Sequence, residues 1–360
     1  MELVEILKTA VAAGASDAHL VIGKVPMMRL NGEMKEIPGF SVLGADESKK
    51  LVYSVLFDEQ RAKFETNWEL DLSFNIAGLS RFRVNAFVQK NGVEAVFRVI
   101  SSKIPKPEDI ALPEAVIHFA GLDKGLVLVT GPTGSGKSTT LACLIELINQ
   151  ESPVHILTVE DPIEFVYEPK KSVFRQREVG QNTKSFAAAL KSALRQDPDV
   201  ILVGELRDLE TIQLAVTVAE TGHLCFATLH TQDCASTIDR MIDVFPPHQQ
   251  AQIRVQLSTV LKGVVAQTLI LRKDQKGRAA AREVMVVNPA ISNLIREGKT
   301  HLIYGAIETG AKMGMISMDK SLAELVRKDI ITPEEGLLRA RSPESFRQLA
   351  GLAKIPGTGA

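Results

Sequence analysis

Gly131 to Thr139, GPTGSGKST, constrains the fold of this chain more than any other stretch. It follows an apolar run, Gly125 to Thr130 (GLVLVT), and opens a helical stretch, LACLIELIN. Strand, glycine-rich loop and helix in that order is what a phosphate-binding loop of nucleotide hydrolases requires. Gly131, Gly134 and Gly136 let the backbone turn so that successive N–H groups converge on one anion. The helix that follows brings the positive end of its dipole to the same point. Pro132, Thr133, Ser135 and Thr139 belong to the same cradle. Lys137 supplies a mobile charge for the β and γ phosphates of ATP, and Ser138 offers a hydroxyl to Mg²⁺.

At 360 residues the chain is long for one compact domain, and two are expected. A formal net charge of −1 gives the whole molecule no electrostatic reason to bind nucleic acid or an anionic membrane. The three cysteines, Cys143, Cys225 and Cys234, form no CxxC pair, so neither a disulfide framework nor a four-cysteine zinc site is expected. The N-terminus, MELVEILKTAVAAGASD, is acidic and amphipathic, unlike a signal peptide. No apolar run approaches the roughly 20 residues needed to span a bilayer. A cytoplasmic protein without membrane insertion is the expectation.

Residues 2–13 read as a helix, 17–22 and 26–30 as short strands, and 46–55 and 58–66 as helices. Apolar and polar residues then alternate over 69–76, 81–89 and 93–100, with turns at Ala77-Gly78 and Asn91-Gly92. Asn-Gly between alternating runs is a strong hairpin signal. The pattern predicts an antiparallel sheet with helices on one side, forming a first domain over 1–100. Pro105, Pro107 and Pro113 mark 101–113 as a linker. From 114 to 288 short apolar strands alternate with helices: 126–130, 155–159, 200–204 and 225–229, then a hairpin of 269–271 and 283–287 around Lys276-Gly277. Such alternation implies an α/β domain with a parallel sheet buried on both faces. Residues 289–360 read as mostly helical, ending in a mobile tail, KIPGTGA.

Ligands of open α/β sheets sit at the carboxyl ends of the strands. Glu160, Asp161 and Glu164 (EDPIE) follow strand 155–159; Glu205, Arg207 and Asp208 (GELRD) follow strand 200–204; His223 and His230 flank strand 225–229. ATP hydrolysis needs a carboxylate near the metal and a group that orients or deprotonates water. Glu160 and Glu205 are the best-placed candidates. Gly204 stands where many phosphate-loop proteins carry an aspartate, so spacing alone does not assign which acid is the base and which faces the metal. Each histidine, taken alone, reads as structural, and their spacing to Cys225 and Cys234 is irregular for zinc. Arg81 and Arg83 share one strand face, with Arg98 across the hairpin turn. The residues alone favour a salt-laced sheet surface; the alternative is arginines that act in trans on a neighbour's γ-phosphate.

Beyond these motifs the chain carries SDAHL, RFRVNAF, VFRVI, QREVG, DPDVILVGELRD, ETGHLCFATLHT, TIDRMIDVFP and NLIREGKT. Through them, and over nearly its whole length, it resembles the type IV pilus retraction ATPases of the PilT family, within the secretion ATPase superfamily. That resemblance implies a PAS-like N-terminal α+β domain, a RecA-like ATPase domain with a helical C-terminal region, and a homo-hexameric ring. It implies that Glu160 activates water, that Glu205 lies on the metal side, that Gly222 to His230 form the histidine box, and that Arg83 and Arg98 face the nucleotide. It further implies an inner-membrane platform protein and a paralogous retraction ATPase as partners, action at the cytoplasmic face of the inner membrane, and removal of pilin subunits from the fibre.

One departure stands out. The family's retraction-linked segment reads AIRNLIRE, whereas Ala290 to Glu297 here reads AISNLIRE: Ser292 replaces the arginine, and Asn293, Leu294, Ile295, Arg296 and Glu297 match. A divergent paralogue is the alternative this leaves. A pilus-assembly or type II secretion ATPase would be expected to carry a further N-terminal domain and a four-cysteine motif. A ring subunit that binds nucleotide with little hydrolysis is opposed by Lys137, Glu160, Glu205 and His230, and a DNA translocase by the charge.

Overall fold

In the computed structural model the chain is described over residues 1–30, 32–100 and 104–352. It divides into two compact units, Met1–Lys103 with Glu164–Val166, and Ile104–Ile163 with Tyr167–Ala360. The first three residues of the expected linker, 101–103, and the tail 354–360 lie outside the described residues.

The first unit contains helix α1 (Leu3–Ala12), strands β1 (Asp17–Leu20), β2 (Met27–Leu30) and β3 (Glu33–Glu36), helices α2 (Ala45–Tyr53) and α3 (Asp58–Asn67), and strands β4 (Glu69–Ile76), β5 (Ser80–Gln89) and β6 (Gly92–Ile100). The strands form one sheet in the order β3-β2-β1-β6-β5-β4, every pair antiparallel. In α1, Leu3, Ile6, Leu7 and Ala10 are buried, the spacing of a single helical face. In β5 the inward set is Ser80, Phe82, Val84 and Ala86, while Arg83 and Asn85 are exposed. Phe64, Phe82 and Phe97 join Ile6, Leu7 and Val52 in this unit's core. Strand β3 has no counterpart in the expected strands. All four of its residues, EMKE, are exposed, so no apolar alternation announces it, and pairing with β2 alone defines it.

The second unit begins with α4 (Glu114–Ile117), β7 (Gly125–Thr130), α5 (Lys137–Glu151), β8 (His155–Glu160), β9 (Val173–Glu178), α6 (Phe186–Ala193), β10 (Val200–Val203) and α7 (Leu209–Glu220). It continues with β11 (Leu224–Leu229), α8 (Cys234–Asp243), α9 (Pro247–Val260), β12 (Leu261–Leu271), β13 (Arg278–Val286), α10 (Pro289–Arg296), α11 (Ile303–Thr309), α12 (Met318–Arg327), α13 (Pro333–Arg339) and α14 (Pro343–Ala350). The sheet order is β13-β12-β7-β11-β10-β8-β9. All neighbours are parallel except β12 and β13, so the sheet is mixed. Every residue of β7, β10 and β11 is buried, as strands covered on both faces require.

Three strands of this unit depart from expectation, among them β13, which runs over nine residues, Arg278–Val286, where 283–287 was expected. The short strand expected at 269–271 is the end of an 11-residue strand, β12. Lys262, Gly263 and Gln267 interrupt its apolar run; Gly263 is required because a Cβ there would lie 2.1 Å from the Phe119 ring. Strand β9, VFRQRE, is too polar to read as part of a buried sheet, and it is an edge strand beside β8. Within the expected linker, the carbonyls of Ile110 and Ala111 accept hydrogen bonds from the Arg282 guanidinium at 3.1 and 3.0 Å. Arg282 is buried, which pushes its pKa down to about 10. All three cysteines are free and buried. Burial pushes the Cys143 thiol up to about 11 and that of Cys225 to about 12.

Candidate active site

The phosphate loop joins the end of β7 to the start of α5. Gly131 has φ of 141°, and a Cβ there would lie 2.2 Å from the Gln267 carbonyl oxygen and 2.7 Å from Ser135 Oγ, so no other residue fits. Gly136 precedes α5 in the left-handed region, with φ of 86°. Lys137 folds back along the loop: its Nζ donates to the carbonyls of Gly131 at 2.8 Å and Pro132 at 3.1 Å. Burial lowers the pKa of this ammonium, and the charge of Glu205 opposes that shift, so the two side chains share one field.

Gln267, on β12, buckles the loop to its helix. Its Nε2 donates to the Ser135 carbonyl at 2.7 Å, and its Oε1 accepts from Thr140 Oγ1 at 2.9 Å. Sequence reasoning missed this residue; the available signal was a glutamine inside an apolar run, VVAQTLIL, and it is buried to 2% exposure. Thr130 Oγ1 also lies 2.6 Å from the carbonyl oxygen of Thr231, tying the end of β7 to the residue after His230.

Glu160 ends β8 and Glu205 follows β10, the neighbouring parallel strand. Glu160 is 7% exposed and accepts a hydrogen bond from Thr158 Oγ1 at 2.7 Å. The glycine at 204 has a steric reason. A Cβ there would lie 3.2 Å from both the Glu160 Cα and the Val159 carbonyl oxygen, backbone atoms with little freedom to retreat. Glu205 is bracketed by Arg207, at 2.8 Å to Oε2, and by His230 Nε2, at 3.0 Å to Oε1. Partial burial disfavours its ionised form, but the hydrogen bond and charge of Arg207, then those of His230, win and lower its pKa. The same pairing raises the pKa of Arg207, with exposed Asp161 adding to the effect.

The remaining candidates fall elsewhere. His223 precedes β11 and His230 follows it, so a strand of six residues, roughly 20 Å at its usual rise, separates them. His223 Nδ1 lies 3.0 Å from both Thr221 Oγ1 and the Val218 carbonyl oxygen, which places it in the α7–β11 turn. Among the described residues no group of three metal-ligating side chains exists. Glu164 is assigned to the first unit and Glu160 to the second. Asp208 caps α7, its side chain accepting from the Thr211 backbone N–H at 2.9 Å.

In the first unit, register places Ser73, Arg83, Arg98, Asp17 and Arg29 in one row across five strands. Arg83 and Arg98 are directly opposite and both exposed, like charges that disfavour the pairing unless compensated. Asp17 supplies compensation: Arg98 Nε donates to its Oδ1 at 2.9 Å, and Ser16 Oγ to its Oδ2 at 2.8 Å. Burial opposes ionisation of Asp17, and these two hydrogen bonds outweigh it, lowering its pKa. Arg81 is partly buried and its Nη2 donates to Ser73 Oγ at 2.6 Å.

In α10, Ser292 is half-buried and donates to the Ser258 carbonyl of α9 at 2.6 Å. Asn293, Arg296 and Glu297 are exposed, Ile295 is buried and Leu294 partly so. Asn293 Nδ2 donates to Glu297 Oε1 at 2.8 Å.

The loop fits the phosphates of a nucleotide. Gly131 leaves room for the backbone cradle, the ammonium of Lys137 lies inside it, and Ser135 Oγ is buried without a hydrogen-bond partner. Comparison with known proteins agrees in chemistry. The model of the type II/IV secretion system protein family matches residues 3–329. The chain belongs to that family. Among its secretion-family relatives, the type IV pilus retractation ATPase PilT of Pseudomonas aeruginosa is 50% identical over 96% of this chain and 100% of its own length. A twitching motility protein of Neisseria gonorrhoeae is 48% identical over 96% of this chain and 92% of its own. The crystal structure of the pilus retraction motor PilT with bound ADP superposes with a TM-score of 0.91 at 44% identity, covering 97% of this chain and 99% of that one.

Proposed function

We propose that this secretion-family chain is an ATP-hydrolysing motor that powers type IV pilus retraction as a homo-hexameric ring. The observation that carries the reading is Lys137 inside a glycine cradle with Glu205 in its field, in a chain that matches a retraction ATPase along that relative's full length. In this reading residues 1–100 form a PAS-like domain, 101–113 a linker, 114–288 a RecA-like core and 289–360 a helical C-terminal region.

Gly131 to Thr139 bind the phosphates, with Lys137 neutralising charge that grows on the γ-phosphate. Ser138 and Glu205 would hold Mg²⁺, which supplies Lewis-acid neutralisation of the phosphate oxygens when bound. Glu160 orients the attacking water and takes its proton. Arg207 keeps Glu205 ionised, and His230 fixes the Glu205 carboxylate from its other oxygen. Arg83 and Arg98 stabilise transferred charge on a neighbouring subunit's nucleotide. The ring acts on an inner-membrane platform protein at the cytoplasmic face, with a paralogous retraction ATPase as a further partner. No helix among the described residues is long and apolar enough to cross a membrane.

A second reading, a divergent paralogue with weak coupling of hydrolysis to retraction, is favoured by one observation. The hydroxyl at position 292 is consumed by the α9 backbone, where the family arginine would present a charge. Complementation of a retraction-deficient strain by the native chain and by Ser292→Arg separates the two. Twitching restored by the native chain supports the motor reading; restoration by Ser292→Arg alone supports the paralogue. Failure of both, with ATPase activity intact, contradicts a retraction role.

A further inference from the structure

Edge strand β9 takes no part in the motifs that identify the loop, yet its side chains converge on the Glu160 region. β8 and β9 are parallel and in register, so Thr158 faces Gln176 and Glu160 faces Glu178. Residues two apart on a strand share a face, and these four therefore line one side of the strand pair. Glu160 Oε1 accepts from Thr158 Oγ1 at 2.7 Å and, at the outer limit of a hydrogen bond, from Gln176 Nε2 at 3.5 Å. The Glu160 carbonyl accepts from the Val179 backbone N–H at 2.9 Å.

The chain leaving Glu160 is fastened by the same strand. The Ile163 backbone N–H donates to Glu178 Oε2 at 3.0 Å, and that of Tyr167 to Gln176 Oε1 at 3.0 Å. Glu178 is itself set in place: Gln181 Nε2 donates to its Oε1 at 2.5 Å, and its backbone N–H donates to Asn182 Oδ1 at 3.0 Å. Tyr167 stacks on Phe174 of β9 with ring centroids 4.5 Å apart. Glu178, at 3% exposure, and Thr158, at 0%, are buried polar groups; Thr158 donates to Glu160, and one oxygen of Glu178 holds the segment that follows it.

We infer that Thr158, Gln176 and Glu178 are positioning residues for Glu160. Thr158 and Gln176 fix the rotamer of its carboxylate, and Glu178 fixes the backbone from which it projects. The inference rests on the reading of Glu160 as the group that activates water. A carboxylate acting on water must sit within hydrogen-bond reach of it. Misplacement by about 1 Å is enough to lose on the order of a hundredfold in rate. The Thr158 hydroxyl anchors one oxygen of the carboxylate at 2.7 Å, and the Gln176 amide approaches the same oxygen, a restraint that an exposed glutamate on a strand end would lack. Part of the polar character that hides β9 from a search for buried strands is thereby explained: Gln176 and Glu178 face Glu160, whereas Arg177, on the opposite face, donates to Ser192 Oγ at 2.9 Å.

Isosteric substitution separates positioning from packing. Thr158→Val keeps the branched shape and removes the hydroxyl, whereas Thr158→Ser keeps the hydroxyl and removes a methyl. Positioning predicts that Thr158→Val lowers kcat of ATP hydrolysis by about tenfold or more, with KM for ATP and affinity for ADP unchanged. Thr158→Ser should stay near the native rate. Gln176→Glu retains an acceptor for Tyr167 but replaces the donor to Glu160 with a like charge, and should also lower kcat at constant KM. The inference is overturned if Thr158→Val and Gln176→Glu turn over normally, or if Thr158→Ser falls as far as Thr158→Val. Glu160→Gln is run in parallel. Native turnover in that variant removes the water-activating reading itself, whereas an inactive Glu160→Gln beside a normal Thr158→Val removes only the positioning role.

Discussion

The two sheets carry their charged residues in opposite ways. In the second unit β7, β10 and β11 are wholly buried, and the groups available for chemistry, Lys137, Glu160, Glu205 and His230, follow or end strands. In the first unit Arg83 and Arg98 sit in mid-strand on an exposed face, in a row set by antiparallel register. A parallel sheet covered on both faces leaves only its ends for ligands. Position along the sequence is therefore informative there. A sheet with one solvated face exposes every second residue, and the role of each arginine depends on what lies across the strand.

The largest expected effect sharpens the first half of that contrast. Lys137→Ala removes the cation inside the loop and should lower ATP turnover by roughly three orders of magnitude, measured by steady-state phosphate release. Turnover near the native rate would show that the loop binds phosphate without serving hydrolysis. Gly204→Ala has a smaller expected effect, about tenfold in kcat, because the added Cβ would press on the Glu160 backbone at 3.2 Å. A fully active Gly204→Ala would mean that the spacing between β8 and β10 is not critical to the site.

Arg207→Ala should move activity least at neutral pH, and mainly through its pH profile. Arg207 is the foremost group lowering the Glu205 pKa against the opposing effect of burial. Removing it lets that pKa rise, so Glu205 takes up its proton at higher pH than in the native chain. The acid limb of the kcat profile should shift upward in pH. An unmoved limb would place the critical ionisation elsewhere.

What was legible in the sequence was local. The loop, its strand and its helix are contiguous, and EDPIE, GELRD and the histidine flanking β11 each follow a strand. Gln267 was hidden because it reaches the loop from β12, 127 residues beyond the Thr140 hydroxyl it accepts. QREVG was legible as a family segment, but the partnership of its Gln176 and Glu178 with Thr158 and Glu160 was hidden, because it comes from parallel register and β9 lacks the apolar pattern of its neighbours. Strand β3, with every residue exposed, had no core-facing signal at all. His223 and His230 looked equivalent by sequence, and only the direction of β11 separates a turn residue from a partner of Glu205.

The central proposal is that a loop in one subunit is completed by arginines from the first unit of another. Co-expression of Lys137→Ala chains with Arg83→Ala, Arg98→Ala chains, each expected to be inactive alone, tests it in isolated mixed rings. An Arg83→Ala, Arg98→Ala subunit keeps its loop and can receive arginines from a Lys137→Ala neighbour, so ATP hydrolysis should reappear in the mixed rings. Mixed rings as inactive as either parent would contradict arginine action between subunits.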